Sequence, residues 1–152
     1  MEMKTPIAPG RRIGFDYGEK RIGVATSDSE SILVSPHATI NNDADLYLKI
    51  GEILNDVQPI YIVIGNPKHL SGADSSKSHE AASFAALVRS LYEGPIYLVD
   101  ERLSTQVSYA QMREAGKSAR DSKSVIDQIA AVNILETALL NEKSNTSIGN
   151  RF

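Results

Sequence analysis

The sequence predicts an α/β fold: a five-stranded mixed sheet in which an antiparallel meander is continued by parallel crossover units, flanked by helices. Two observations predict it. Three short β-rich runs come first, joined by connections without helical periodicity. Two later apolar runs, at residues 60–64 and 96–99, then alternate with helical stripes and lack polar alternation, as strands covered on both faces do. The length of 152 residues suits one core that buries roughly 70% of the unfolded chain's surface, so a single domain over 1–152 is expected. Residues 1–10 and 142–152 are polar or Pro/Gly-bearing and non-periodic, and read as flexible tails.

Residues 13–15 and 22–26 form a hairpin about Tyr17-Gly18-Glu19-Lys20, and 38–40 add a weaker third strand. Leu46, Ile50, Ile53, Leu54 and Val57 recur at helical spacing until Pro59 stops the helix. The run at 60–64 is β-branched except for Tyr61 and should be central. A loop over 65–78, long enough to carry function, leads to a helix with the stripe Phe84, Leu87, Val88 and Leu91, ended by Gly94-Pro95. After the strand at 96–99, Ser104 or Thr105 can cap a helix reaching Gly116, and a last helix spans about 124 to 140. The order is β-β-β-α-β-α-β-α-α, and ligands of such sheets gather at the carboxyl ends of the strands.

Hydrophobic residues make up 41% and charged residues 23%, which excludes wholesale disorder and fibrous repeats. No run reaches the apolar length of a membrane span. The absence of cysteine removes disulfide frameworks, thiolate zinc sites and cysteine nucleophiles together. The start of the sequence lacks the apolar centre of a secretory signal, so a cytoplasmic location is expected. With a net charge of −3, a polyanionic partner has to be held by a local basic patch or by metal ions.

Three carboxylates stand where they could converge. Asp16 ends the first strand beside Gly18, which permits a tight turn; Asp next to Gly is also a common turn device. Asp100 and Glu101 follow the 96–99 run and point to opposite faces, so only one can meet Asp16; Glu101 is the choice, which strand alternation alone leaves close to even against Asp100. Alternatively Glu101 and Arg102 form a solvated loop pair. Asp127 lies near Ala130, Ala131 and Ile134, small or apolar neighbours that let a helix lie close to the sheet, although Ser124 and Asp127 also have capping-box spacing. Together the three form an oxygen-donor set suited to Mg²⁺ or Mn²⁺, and without a cation they would repel one another. Two such cations about 4 Å apart can activate a water and stabilise the leaving oxygen of a phosphodiester.

Basic residues accompany them: Arg11, Arg12, Lys20 and Arg21 flank Asp16, Arg102 follows Glu101, and Arg113, Lys117, Arg120 and Lys123 precede Asp127. Of these, Lys20, Arg21, Arg102 and Lys123, with Lys68 from the long loop, are the candidates for holding a phosphate backbone. A solvated face is the ordinary use of such charges. None of the three histidines has a ligand partner four residues on; His37 reads as a loop residue, and His69 and His79 lie in or at the end of the long loop.

Four blocks, Asp16-Tyr17-Gly18 with Lys20-Arg21-Ile22-Gly23-Val24-Ala25, Gly65-Asn66-Pro67 with Gly72, Asp100-Glu101-Arg102-Leu103-Ser104-Thr105, and Ile126-Asp127-Gln128-Ile129-Ala130-Ala131, resemble in order those of the YqgF family. That family is a bacterial branch of the ribonuclease H-like superfamily, described as pre-16S rRNA nucleases and as Holliday junction resolvase-like proteins. The resemblance implies a ribonuclease H-like fold with a five-stranded sheet and divalent-metal hydrolysis of nucleic acid in ribosomal RNA maturation. It matches Asp16, Glu101 and Asp127 to the family's metal ligands. Asn66 and the run Lys68-His69-Leu70-Ser71 depart from the family pattern, and a fourth carboxylate has no clear match, with Asp100, Asp28 and Asp121 as candidates.

The leading expectation is a Mg²⁺- or Mn²⁺-dependent endonuclease acting on structured RNA in 5′-end processing of pre-16S rRNA, with Lys123 or Arg102 steadying the phosphate. Ribosomal components are possible partners, and a monomer or weak homodimer is expected. Two alternatives are a Holliday junction resolvase acting on branched DNA, which needs two active sites, and an RNA-binding ribosome assembly factor that cuts nothing. Asp16-x-Gly18 with Ile22-Gly23-Val24-Ala25 also resembles the first phosphate loop of actin-like ATPases, but those clamp ATP between two domains, and this length provides one.

Overall fold

A computed structural model describes residues 8–66, 76–100, 119–144 and 146–152, with side chains left undescribed at Asn66, 76–79, Asp100 and 119–125. Strands β1 (Arg12–Asp16), β2 (Arg21–Ser27) and β3 (Val34–Asn41) are followed by helix α1 (Leu46–Val57), β4 (Tyr61–Asn66), α2 (Ser76–Leu91), β5 (Ile96–Asp100), α3 (Ala119–Lys143) and β6 (Asn150–Arg151). The sheet order is β3-β2-β1-β4-β5-β6. The pairs β1–β2 and β2–β3 are antiparallel, while β1–β4 and β4–β5 are parallel. This is the expected meander continued by crossovers, with β1 and β4 as the two central strands.

Alternation along the strands sorts the core into two faces. Ile13, Phe15, Ile22, Val24, Ile62, Ile64 and Ile96 pack against α1 and α2 on one side. Ala25, Tyr61, Val63 and Val99 pack against Ala131, Ile134, Leu135 and Ala138 of α3 on the other. The periodic positions Leu46, Ile50, Ile53, Leu54 and Val57 are all buried, and α1 ends at Gln58, which takes a left-handed φ of 52° before Pro59.

Several expectations shift. β3 runs from Val34, and His37, read as a loop residue, lies inside it. Pro36 and the exposed side chains hid this strand: β3 is an edge of the sheet, and its register skips His37 between Ala38↔Val24 and Pro36↔Ala25. A sixth strand comes from the stretch assigned to a tail, where Tyr97↔Arg151 and Leu98↔Asn150 pair antiparallel. It is held by main-chain hydrogen bonds and by Arg151 lying 5.6 Å from the Tyr97 ring, so it needs no hydrophobic pattern. α3 starts at Ala119 rather than 124, which places Ser124 inside the helix and removes the capping-box reading of Asp127. The helix expected to end at Gly116 and most of the loop over 65–78 lie outside the described residues.

Candidate active site

Asp16 is the last residue of β1, at the carboxyl end of the central parallel pair, where such sheets bind ligands. Tyr17 packs against Phe84 on the α1/α2 side, with ring centroids 5.2 Å apart, and alternation gives Asp16 the opposite face, that of α3. The turn that follows is stapled from outside the hairpin. Asn42 Nδ2 donates to the Tyr17 hydroxyl and to the Gly18 carbonyl, each at 3.1 Å, and Asn42 N donates to the Lys20 carbonyl at 2.9 Å. Sequence reasoning missed Asn42: it sits in a polar connection, and nothing local marks a partner 24 residues away. At Gly18 a Cβ would run into the Arg21 carbonyl, which is the close approach that favours glycine there.

Asp127 reaches the same end of the sheet on α3. Gly23 is the register partner of Asp16, and the position of a Gly23 Cβ is taken by the Asp127 carbonyl, with Asp127 Cα 3.1 Å from it. Adding an antiparallel Cα separation of about 5 Å puts the backbones of Asp16 and Asp127 on the order of 10 Å apart or closer, within joint reach of two carboxylates. One residue on, Gln128 Nε2 donates to Thr39 Oγ1 at 3.0 Å, and Thr39 pairs with Gly23 on β3. The row Asp16, Gly23, Thr39 thus underlies one turn of α3.

The Asp127 carboxylate is half-buried. Burial pushes its pKa above the ordinary aspartate value, and the hydrogen bond and charge of Arg21 offset part of that rise. Arg21 Nε donates to Asp127 Oδ2 at 3.0 Å, with side chains 33% and 19% exposed, so the pair remains partly hydrated. Arg21, predicted to hold phosphate, is therefore engaged with an acid of the site. Lys20 is exposed in the turn beside Asp16.

Other predicted residues fall elsewhere. Arg12 is buried at the opposite end of β1, paired with Glu142 at 3.0 Å and stacked 5.3 Å from the Tyr61 ring, and Arg11 bonds the Ser27 carbonyl and Thr26 hydroxyl. Neither flanks the acids, because each belongs to the entry end of the strand. Asp28 caps the β2–β3 turn, accepting from Ile32 N at 2.7 Å and Leu33 N at 3.3 Å, which removes it as a fourth ligand. Glu101, Arg102, Lys68, His69 and the side chains of Asp100, Asp121, Lys123 and His79 lie outside the described residues. Among the described residues no group of three metal-binding side chains occurs. The two acids that are described fit a hard cation: both are oxygen donors, and Asp127 presents one carboxylate edge to Arg21 while its other oxygen is not part of that bond.

A family profile described as "RuvX: Holliday junction resolvase" matches residues 10–141. The chain belongs to the RuvX family. This is the YqgF grouping that the four sequence blocks resemble. Among RuvX relatives, a protein of Leifsonia xyli subsp. xyli is 38% identical over 139 residues, covering 90% of each chain, and is named "Putative pre-16S rRNA nuclease". One from Neisseria gonorrhoeae with the same name is 37% identical over 132 residues, covering 85% of this chain and 87% of its own. The fold is similar to that of RuvC from T. thermophilus in complex with a Holliday junction substrate, with TM-score 0.54, 12% identity, and 94% of this chain and 99% of the other covered. It is also similar to that of the fowlpox virus resolvase in complex with Holliday junction DNA, with TM-score 0.53, 11% identity, and 86% and 99% covered. The RuvX chain accordingly has a ribonuclease H-like fold.

Proposed function

We propose that this RuvX-family protein is a divalent-metal-dependent endonuclease that cuts structured RNA in 5′-end processing of pre-16S rRNA. The observation that carries this reading is the meeting of Asp16 and Asp127, remote in sequence, across Gly23 at the carboxyl end of β1. Glu101 is the third acid. In β5, Tyr97 and Val99 share the α3 face, that of Asp16, while Ile96 and Leu98 share the other. Asp16, Glu101 and Asp127 would hold Mg²⁺ or Mn²⁺, which supplies water activation and stabilisation of the leaving oxygen when bound. The protein's own contributions are positional. Arg21 neutralises and orients Asp127, Asn42 fixes the turn after Asp16, and the exposed Lys20 offers a charge to the phosphate backbone. Lys68, Arg102 and Lys123 complete the proposed phosphate contacts.

Incubating the protein with a pre-16S leader RNA and Mn²⁺, beside an Asp16→Asn control, tests this. Wild type cleaves and the variant loses cleavage; equal cleavage by both overturns the assignment. The description of the RuvX family favours a second reading, a four-way DNA junction as substrate. Junction DNA in the same assay separates the two. Symmetric junction cutting requires two active sites, so a strict monomer at working concentration speaks against that substrate.

A further inference from the structure

We propose that Gly23 and Gln128 are positioning residues for the acidic site: they seat the turn of α3 that bears Asp127 and thereby set its spacing from Asp16. The inference rests on the metal-dependent reading above. The turn is held twice from the same row of the sheet. Beneath it, the missing side chain of Gly23 admits the Asp127 main chain, since a Cβ would coincide with its carbonyl and stand 3.1 Å from its Cα. Beside it, Gln128 is tied to Thr39 at 3.0 Å, on the strand flanking Gly23. Because Gly23 also pairs directly with Asp16, anything that lifts α3 here changes the separation of the two acids and not merely the packing.

The magnitude separates positioning from ordinary packing. Restoring van der Waals separation between a new methyl and the Asp127 carbonyl requires a shift on the order of 1 Å. Ligand constellations tolerate roughly 0.5 Å. Gly14, on β1, provides an internal control against the same helix. A Cβ there would lie 2.9 Å from Leu135 Cβ and 3.0 Å from the Ala131 carbonyl, so it strains α3 one to two turns beyond Asp127 rather than at the turn that bears it.

The full-length chain and its Gly23→Ala, Gly14→Ala and Asp127→Asn variants are compared by thermal unfolding without metal and by Mn²⁺ titration, reading free Mn²⁺ by electron paramagnetic resonance. Both glycine variants should melt below wild type. Gly23→Ala should weaken Mn²⁺ binding by about ten-fold or more, as loss of a supporting contact around a metal does, while Gly14→Ala should stay within about three-fold. Wild-type affinity in folded Gly23→Ala, or an equal loss in Gly14→Ala, overturns the proposal. Wild-type affinity in Asp127→Asn would overturn the metal-site reading instead, so the two failures are distinct. Should Gly23→Ala yield no folded protein, Gln128→Ala adds no bulk and carries the test: about three-fold or greater weakening supports the seat, and unchanged affinity refutes it.

Discussion

Replacing Glu142 with alanine should be among the most destabilising single changes in this protein, although the residue stands at the end of α3 far from the acids. Arg12 is fully buried and Glu142 only 17% exposed. Glu142 accepts from Arg12 Nη2 at 3.0 Å and Nε at 3.3 Å, and from the Tyr61 hydroxyl at 2.8 Å. Burial, with the nearby Glu142 carboxylate, pushes the Tyr61 phenol well above its ordinary range, so it stays a donor. Truncation would leave a buried guanidinium with the Gly10 and Ala8 carbonyls but no countercharge. At a charge separation of about 4 Å and an effective dielectric of about 20, the lost attraction is about 4 kcal/mol, within the 3–5 kcal/mol typical of breaking a buried pair. For a chain of this size that corresponds to a fall in Tm of roughly 6–20 °C. Scanning calorimetry on Glu142→Ala and on the paired Arg12→Met, Glu142→Leu variant provides the assay; the pair should recover most of the loss because it strands no charge. From 127 to 142 along α3 is about 22 Å, so Mn²⁺ affinity should be unchanged in folded protein. A loss below about 1 kcal/mol, the value of an exposed pair, would refute the reasoning.

Two further outcomes follow from the site. Asp127 has a raised pKa in the fold, so the stability linked to its protonated form is complete below the ordinary aspartate pKa of about 4 and is lost as pH rises through the raised value. Asp127→Asn should therefore gain stability relative to wild type at pH 7 compared with pH 3.5, read as urea midpoints; an equal difference at both pH values contradicts this. Asn42→Ala removes both side-chain bonds to the turn after Asp16 and should cost about 1–2 kcal/mol, with faster amide exchange at 17–20 than elsewhere in β1 and β2. Unaltered exchange there would count against the staple.

The parts legible in the sequence are those whose cause is local. The α1 and α2 stripes, the central run at 60–64 and the Asp16 strand end all follow from periodicity, and the structure has them. What escaped depended on distant partners. Arg12 read as one of the basic residues flanking Asp16 because its true partner lies 130 residues away. Asp28 read as a spare carboxylate because its turn forms only once β2 and β3 pair. The first turns of α3, from Arg120 to Ser124, carry no apolar residue, so the pattern began late. The close docking of α3 near Asp127 was legible in its small neighbours, but its seat on Gly23 and its bond to Arg21 arise only when helix and sheet dock.

The margins of the sheet constrain how copies of this chain can meet. β3 is an edge strand that contains Pro36, which has no amide hydrogen, and a register break at His37, so its ladder is irregular. The opposite margin is β6, two residues long. Among the described residues both margins are thus poor templates for main-chain pairing, which favours side-chain faces for self-association, where single substitutions can tune it.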